Sequence, residues 1–185
     1  NRTEVKILYD DEAIYIGAIL YDSEPNKIMK EITQRDRFAT SDHFGVFING
    51  FNDGQQDFRF FVSAAGTQMD AVALENDGED FSWDGIWKSA VKITDFGWVV
   101  EMKIPYAALR FSGEKDQVWG LNFLREFRRL RYKYTWNHID LKKGGVIRQA
   151  GVLKGISNIQ PPLRLFFIPY TSGYHSIQGN NQSSL

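Results

Sequence analysis

The chain has no cysteine among its 185 residues and only three histidines, three methionines and five prolines. Without a thiol, disulfides, thiolate nucleophiles and cysteine-bound metals are excluded together, although the compartment stays open. Net charge is nearly absent as well: 22 lysines and arginines face 23 acids, a balance of −1. No global field therefore draws nucleic acid or an anionic membrane to this surface, and any partner is selected locally. No apolar run approaches the roughly 18 residues of a membrane helix, and Asn1 to Lys6 carry no signal-peptide core. Nucleophilic catalysis has no Gly-x-Ser-x-Gly to rest on, and His43, His138 and His175 stand in unrelated segments. Phosphate loops and zinc signatures are missing. With 23 acids a glycosidase pair can always be proposed, so such a pair discriminates nothing.

What is present is core material, 43% hydrophobic and 15% aromatic, arranged with the period of strands. At this length one core buries enough surface to fold without a staple. Val5 to Tyr9 and Ile14 to Tyr21 form a hairpin across an acidic step, and the second run, apolar on both faces, is expected to be a central strand covered on both sides. Ile28 to Gln34 is expected to be a further strand. Asp42 to Phe51, Asp57 to Ala64 and Gln68 to Leu74 make a meander whose Asp53-Gly54 step is a strong hairpin signal. A long acidic loop, Glu75 to Gly85, precedes strands at Ile86 to Thr94 and Trp98 to Ile104. Pro105 opens a helical turn. Gln117 to Arg131 places Trp119, Leu121, Phe123 and Phe127 on one face with Arg125 among them, and a strand at Ala150 to Ile159 closes the fold. About ten short strands with one helical turn read as an all-β, antiparallel β-sandwich of jelly-roll type, over residues 1–160. Pro161-Pro162 marks a linker, and 161–185 follow as a separate segment.

Three features carry candidate chemistry. Asp77, Asp80 and Asp84 lie in a loop around Gly78 whose composition suits calcium, though a solvated acidic loop has the same composition. Phe81, Trp83 and Trp87 bracket Asp84, and an aromatic face beside polar groups suits the C–H face and hydroxyls of a sugar. Trp83 is expected to be the exposed indole, with Trp136 second, while Trp98 and Trp119 alternate into the core. The run Arg125 to Trp136 interleaves cations with Tyr132, Tyr134 and Trp136; alternation splits the charges between faces, so a solvated strand is favoured over a nucleic-acid patch. Arg125 is the exception, because a guanidinium on an apolar face needs a partner, with Glu101, Asp42 or a hydroxyl-rich ligand as the candidates.

Several stretches in order carry a resemblance: Tyr9 to Ile16, Arg35-Asp36-Arg37 with Ser41-Asp42, Asn52-Asp53-Gly54, Trp83-Asp84-Gly85-Ile86-Trp87, Gly97 to Pro105, and Trp119 to Arg125. Together they resemble family 9 carbohydrate-binding modules of the wider DOMON-like group, over about residues 3–160. The chain is most similar to the N-terminal module of Bacteroidetes outer-membrane-barrel proteins of unknown function. The resemblance implies non-catalytic binding of an oligosaccharide or polysaccharide, association with polysaccharide breakdown or uptake, possible structural calcium, and a periplasmic or outer-membrane setting. Read from the residues themselves, a sugar is expected to stack on Trp83 and Trp136, with Arg37, Asp42 and Arg125 meeting its hydroxyls. The resemblance also implies that Leu163 to Tyr170 opens a C-terminal barrel. The chain departs from the family in lacking an N-terminal strand before Thr3 and in offering no clear match to the paired stacking tryptophans. Two other readings stand beside it: from another class, a structural or gating module bound to its own barrel or a partner protein, and, as in some DOMON-like sandwiches, a haem binder using His43 or one of the three methionines.

Overall fold

A computed structural model describes residues 2–162 together with Pro169, Thr171 and Ser172. Among the described residues, eleven strands form two antiparallel sheets. The smaller contains β1 (Thr3–Tyr9), β2 (Ala13–Tyr21), β8 (Gly97–Pro105) and β7 (Lys88–Thr94), in that order. The larger runs β10 (Tyr132–Thr135), β9 (Asp116–Phe127), β3 (His43–Asn49), β4 (Gln56–Ser63), β5 (Gln68–Leu74) and β6 (Gly78–Asp80). The last strand, β11 (Gly151–Ser157), pairs with the first half of β9, and β10 pairs with its second half. The sequence-based expectation of an all-β sandwich with one short turn after Pro105 matches this architecture; the turn, Tyr106–Ala108, is a 3-10 helix. The proposed barrel segment, Leu163 to Tyr170, falls outside the described residues apart from Pro169.

Alternation builds the core. Ile14, Ile16, Ala18 and Leu20 of β2 and Trp98, Val100, Met102 and Ile104 of β8 face Phe44, Val46, Phe58, Phe60, Trp119 and Leu121 across the sandwich. The period of two sends every second side chain inward, and burial of these rings and branched chains supplies most of the driving force. Trp98 and Trp119 are fully buried, as their alternation requires.

Three sequence expectations are corrected. β2 is central in its sheet but covered on one face only, since Tyr15, Gly17, Ile19 and Tyr21 remain half-exposed on the other. The strands covered on both faces are β3 and β4, where a second small cluster of Phe47, Phe61 and Met69 lies under Phe38 and Phe81. Ile28 to Gln34 is not a strand. It is irregular chain after a 3-10 turn at Pro25–Lys27, with Ile28 buried and Ile32 in solvent. Its continuation takes positive φ at Asp36 and Ala39, which breaks any extended run and lays Phe38 over the sheet. The acidic loop is also shorter than expected, because Gly78–Asp80 folds back on Val72 to Leu74 as β6.

Candidate functional site

The larger sheet is wider than the smaller one, and this difference creates the site. Tyr132 and Tyr134 of β10 stand directly opposite Phe127 and Arg125 of β9, so they point to the core side of the sheet, and the Trp136 amide continues the pairing by donating to the Phe123 carbonyl. Their inner-face neighbours Phe123 and Phe127 are buried. Tyr132, Tyr134 and Trp136, by contrast, are 55, 54 and 59% exposed, because no strand of the smaller sheet covers them. They form a row spanning ~13 Å at ~3.3 Å per residue. The Trp136 indole leans on the Phe123 ring at 5.9 Å and lies against Gly151, where any β-carbon would collide with its six-membered ring. A missing side chain on β11 thus fixes the orientation of an exposed ring on β10.

Beside this row a cleft of about 650 Å³ opens between β1 and the β9–β10–β11 edge. Val5, Ile7, Phe44, Leu121, Phe123 and Leu153 give it an apolar floor, and Thr3, Thr135, Arg125 and Lys154 complete its lining. Arg125 is 4% exposed. Its guanidinium spans the two sheets: Nη1 donates to the Arg2 carbonyl and to Thr3 Oγ1, both at 3.0 Å, and Nη2 donates to the Tyr21 carbonyl at 2.8 Å. The plane rests on the Phe127 ring at 3.9 Å. Neither carboxylate expected as its partner takes that role. Glu101 stands opposite Gly17 on the outer side of the smaller sheet, and Asp42 binds elsewhere. Burial beside neutral acceptors lowers the Arg125 pKa to about 10, with Asp22 and Asp42 opposing the shift through space.

The other expected site residues are dispersed. Trp83 does not line this cleft; its half-buried indole packs on Phe58 at 5.1 Å and Phe60 at 5.9 Å, plugging another part of the sandwich. Trp83 was expected to be the exposed indole because it sits in a loop, but that loop folds over the core. Arg37 is exposed, and its only described bond is through its carbonyl, which accepts from the Thr33 hydroxyl. Asp42 is buried and receives the Arg128 amide at 2.9 Å, with Arg129 at 3.9 Å; burial raises its pKa. Neighbouring Asp22 takes Arg129 through both oxygens, at 2.6 and 2.8 Å.

Asp77, Asp80 and Asp84 do not converge. Asp80 accepts from the Ser82 amide and hydroxyl, which lowers its pKa. The acids that do converge are Asp36, Asp70 and Asp84, whose oxygens lie within 4.8 Å of one another. Arg35 reaches all three, at 3.5 Å from Asp36, 2.5 Å from Asp70 and 3.2 Å from Asp84, so a guanidinium supplies the positive charge there. His43 is closed between Phe38 and Phe61 and lies 3.4 Å from Glu126.

Sequence reasoning thus brought two of its five ligand candidates, Arg125 and Trp136, to one cleft. It named Tyr132 and Tyr134 only as interleaved aromatics and did not single out Gly151, against which the Trp136 ring lies. The signal for the tyrosines was the period-two repeat through Trp136, which also fits a solvated strand surface.

A family profile of carbohydrate family 9 binding domain-like sequences matches residues 1–126. The chain belongs to this family. Among solved structures, the family-9 chain is similar to a Bacteroides uniformis protein provisionally described as carbohydrate-binding, at 13% identity and a TM-score of 0.68 over 82% of this chain and 77% of that one. It is also similar to a family 9 carbohydrate-binding module of Caldicellulosiruptor kristjanssonii. The form in complex with cellotriose gives 14% identity and a TM-score of 0.56, covering 92 and 80% of the two chains. The form in complex with glucose gives 16% identity and 0.58, covering 86 and 80%. At these identities the likeness shows a shared fold. No curated protein matches the chain.

Proposed function

We propose that this domain is a non-catalytic carbohydrate-binding module whose ligand lies along Tyr132, Tyr134 and Trp136, at the mouth of the Arg125 cleft. The observation that carries the reading is the exposed, pre-oriented Trp136 ring beside a polar-edged cleft, in a chain of a carbohydrate-binding family. A pyranose presents a C–H face to an aromatic ring and hydroxyls around its edge. Thr3, whose hydroxyl meets the Arg125 guanidinium, brings a polar group to that edge. Arg125 holds the two sheets at the spacing that keeps the cleft open. In this reading the module presents glycan to a larger protein in the periplasm or at the outer membrane, as the resemblance in sequence suggests. Polysaccharide breakdown or uptake is then the process it serves.

Calorimetric titration with neutral β-linked oligosaccharides tests the reading. Binding that is lost in Trp136→Ala supports it, and the absence of heat with every sugar refutes it. The apolar floor of the cleft and the exposed Val152 in its lining favour a second reading, a module that docks its own barrel or a partner protein. That reading predicts a co-purifying protein and no response to sugars.

A further inference from the structure

The smaller sheet ends at β1, and the side of β1 turned away from β2 has no strand beside it among the described residues. The Tyr21 amide donates to the Arg2 carbonyl and the Asp10 amide to the Ala13 carbonyl, at 3.0 and 3.1 Å, which fixes the alternation along the β1–β2 ladder. Glu4, Lys6 and Leu8 bond to β2, so the N–H and C=O groups of Thr3, Val5 and Ile7 point to the free edge. The same three residues stand opposite buried Leu20, Ala18 and Ile16, which turns their side chains toward the cleft, where Val5 and Ile7 are only half-buried. β1 carries none of the usual guards of a free edge: no proline, no bulge and no charge among its inward side chains. At the opposite end of the sandwich the larger sheet is closed by the segment 81–87, whose Trp83 and Trp87 pack on Phe58 and Phe60. Among the described residues nothing equivalent lies over Leu153, Tyr134 and Trp136, which stay partly exposed beside β1.

We propose that this edge docks an extended segment of a partner protein, which adds to β1 as a fifth strand of the smaller sheet. Neighbouring strands lie ~4.8 Å apart, so the added strand comes to lie over the uncovered part of the larger sheet and turns every second side chain into the cleft. Those side chains are apolar, to match Val5, Ile7, Phe123 and Leu153. The residues between them face solvent beside Glu4 and Lys6. Arg2 already holds Glu4 at 2.6 Å, whereas Lys6 is exposed and has no ion-pair partner among the described residues, so an acidic residue fits opposite Lys6. A second copy of this chain does not fit, since joining β1 to β1 brings two overhanging larger sheets into the same space. The inference rests on the docking reading above and gives it a mode. Because Trp136 lines the same cleft, a docked strand and a saccharide exclude each other.

The test uses the whole chain and a short synthetic peptide in which valine and isoleucine alternate with threonine around a central glutamate. A control peptide carries the same side chains, with methyl groups on the backbone amides that would face β1. Calorimetric titration should show binding of the first peptide and about 30-fold weaker binding of the second, as two backbone hydrogen bonds are lost. Amide hydrogen exchange gives the position. With peptide at ten times its Kd, exchange at Val5 and Ile7 should slow about ten-fold, while Lys6 and Leu8, already bonded to β2, keep their rates. Ile7→Lys turns a charge into the cleft and should abolish binding; if its melting curve shows that it does not fold, the exchange measurement on the wild type decides alone. Equal binding of the two peptides, or binding that leaves exchange at Val5 and Ile7 unchanged, overturns strand addition and leaves the docking reading standing. No binding of either peptide up to millimolar concentration overturns both, and the sugar titrations decide the carbohydrate reading separately.

Discussion

Truncation of Trp136 to alanine is the sharpest perturbation of the proposed site, and its size follows from exposure. A tryptophan offers up to ~250 Å² of surface, and with 59% of it exposed Trp136 presents ~150 Å², about half of which one stacked sugar ring can cover. At ~25 cal/mol per Å², covering ~75 Å² contributes ~1.9 kcal/mol, a loss of about 25-fold in affinity when the ring is removed. The exposed ring contributes little to folding beyond its contact with Phe123, so the melting temperature should fall by no more than a few degrees. Titration calorimetry paired with thermal denaturation separates the two effects. A variant that binds within two-fold of wild type refutes the placement of the ligand, and one that fails to fold refutes the view that this ring is a surface platform.

Four further outcomes follow. Gly151→Ala drives a methyl group into the Trp136 ring and should cost binding nearly as much as Trp136→Ala, with a change in tryptophan emission; unaltered binding would mean that ring orientation is irrelevant. Trp83→Ala removes a packed indole from Phe58 and Phe60 and should destabilise by ~2–4 kcal/mol in denaturant titrations while leaving sugar affinity intact; the opposite pattern would move the site to Trp83. Burial holds the His43 pKa below its ordinary value, so the unfolded chain binds the proton more readily. Stability attributable to His43 is then complete above about pH 6.5 and declines as pH falls below it. Melting curves from pH 7.5 to 5 should show a loss that His43→Gln flattens, and identical slopes in the two proteins would refute this. Because the Arg35 guanidinium already pairs with Asp36, Asp70 and Asp84 and occupies the place a cation would take, millimolar calcium should shift the melting temperature by less than about a degree; a larger rise, abolished by Asp84→Asn, would restore an ion site in the acidic loop.

The strands were legible because alternation is a local property: β2, β8 and β9 each state their inward face in their own residues. Arg125 was legible as an anomaly for the same reason, an arginine in the apolar register of β9. Its partners were not, since two of the three are backbone carbonyls, of Arg2 and Tyr21, which any residue type supplies, and all three, with the Thr3 hydroxyl, lie more than a hundred positions away. The stretch Ile28 to Gln34 misled because its mixed pattern satisfies a strand, while its fate depends on the positive-φ residues that follow. Exposure of Trp136 and concealment of Trp83 could not be read locally at all. Trp136 is exposed because one sheet outruns the other, and Trp83 is covered because its loop closes over Phe58 and Phe60. Strand count across two layers is a property of the whole fold.

The most direct measurement is an NMR titration that follows the indole N–H signals of the five tryptophans as a saccharide is added. The account predicts that the Trp136 signal moves with saturation while those of Trp83, Trp87, Trp98 and Trp119 stay in place. A spectrum in which Trp83 responds and Trp136 does not would contradict it.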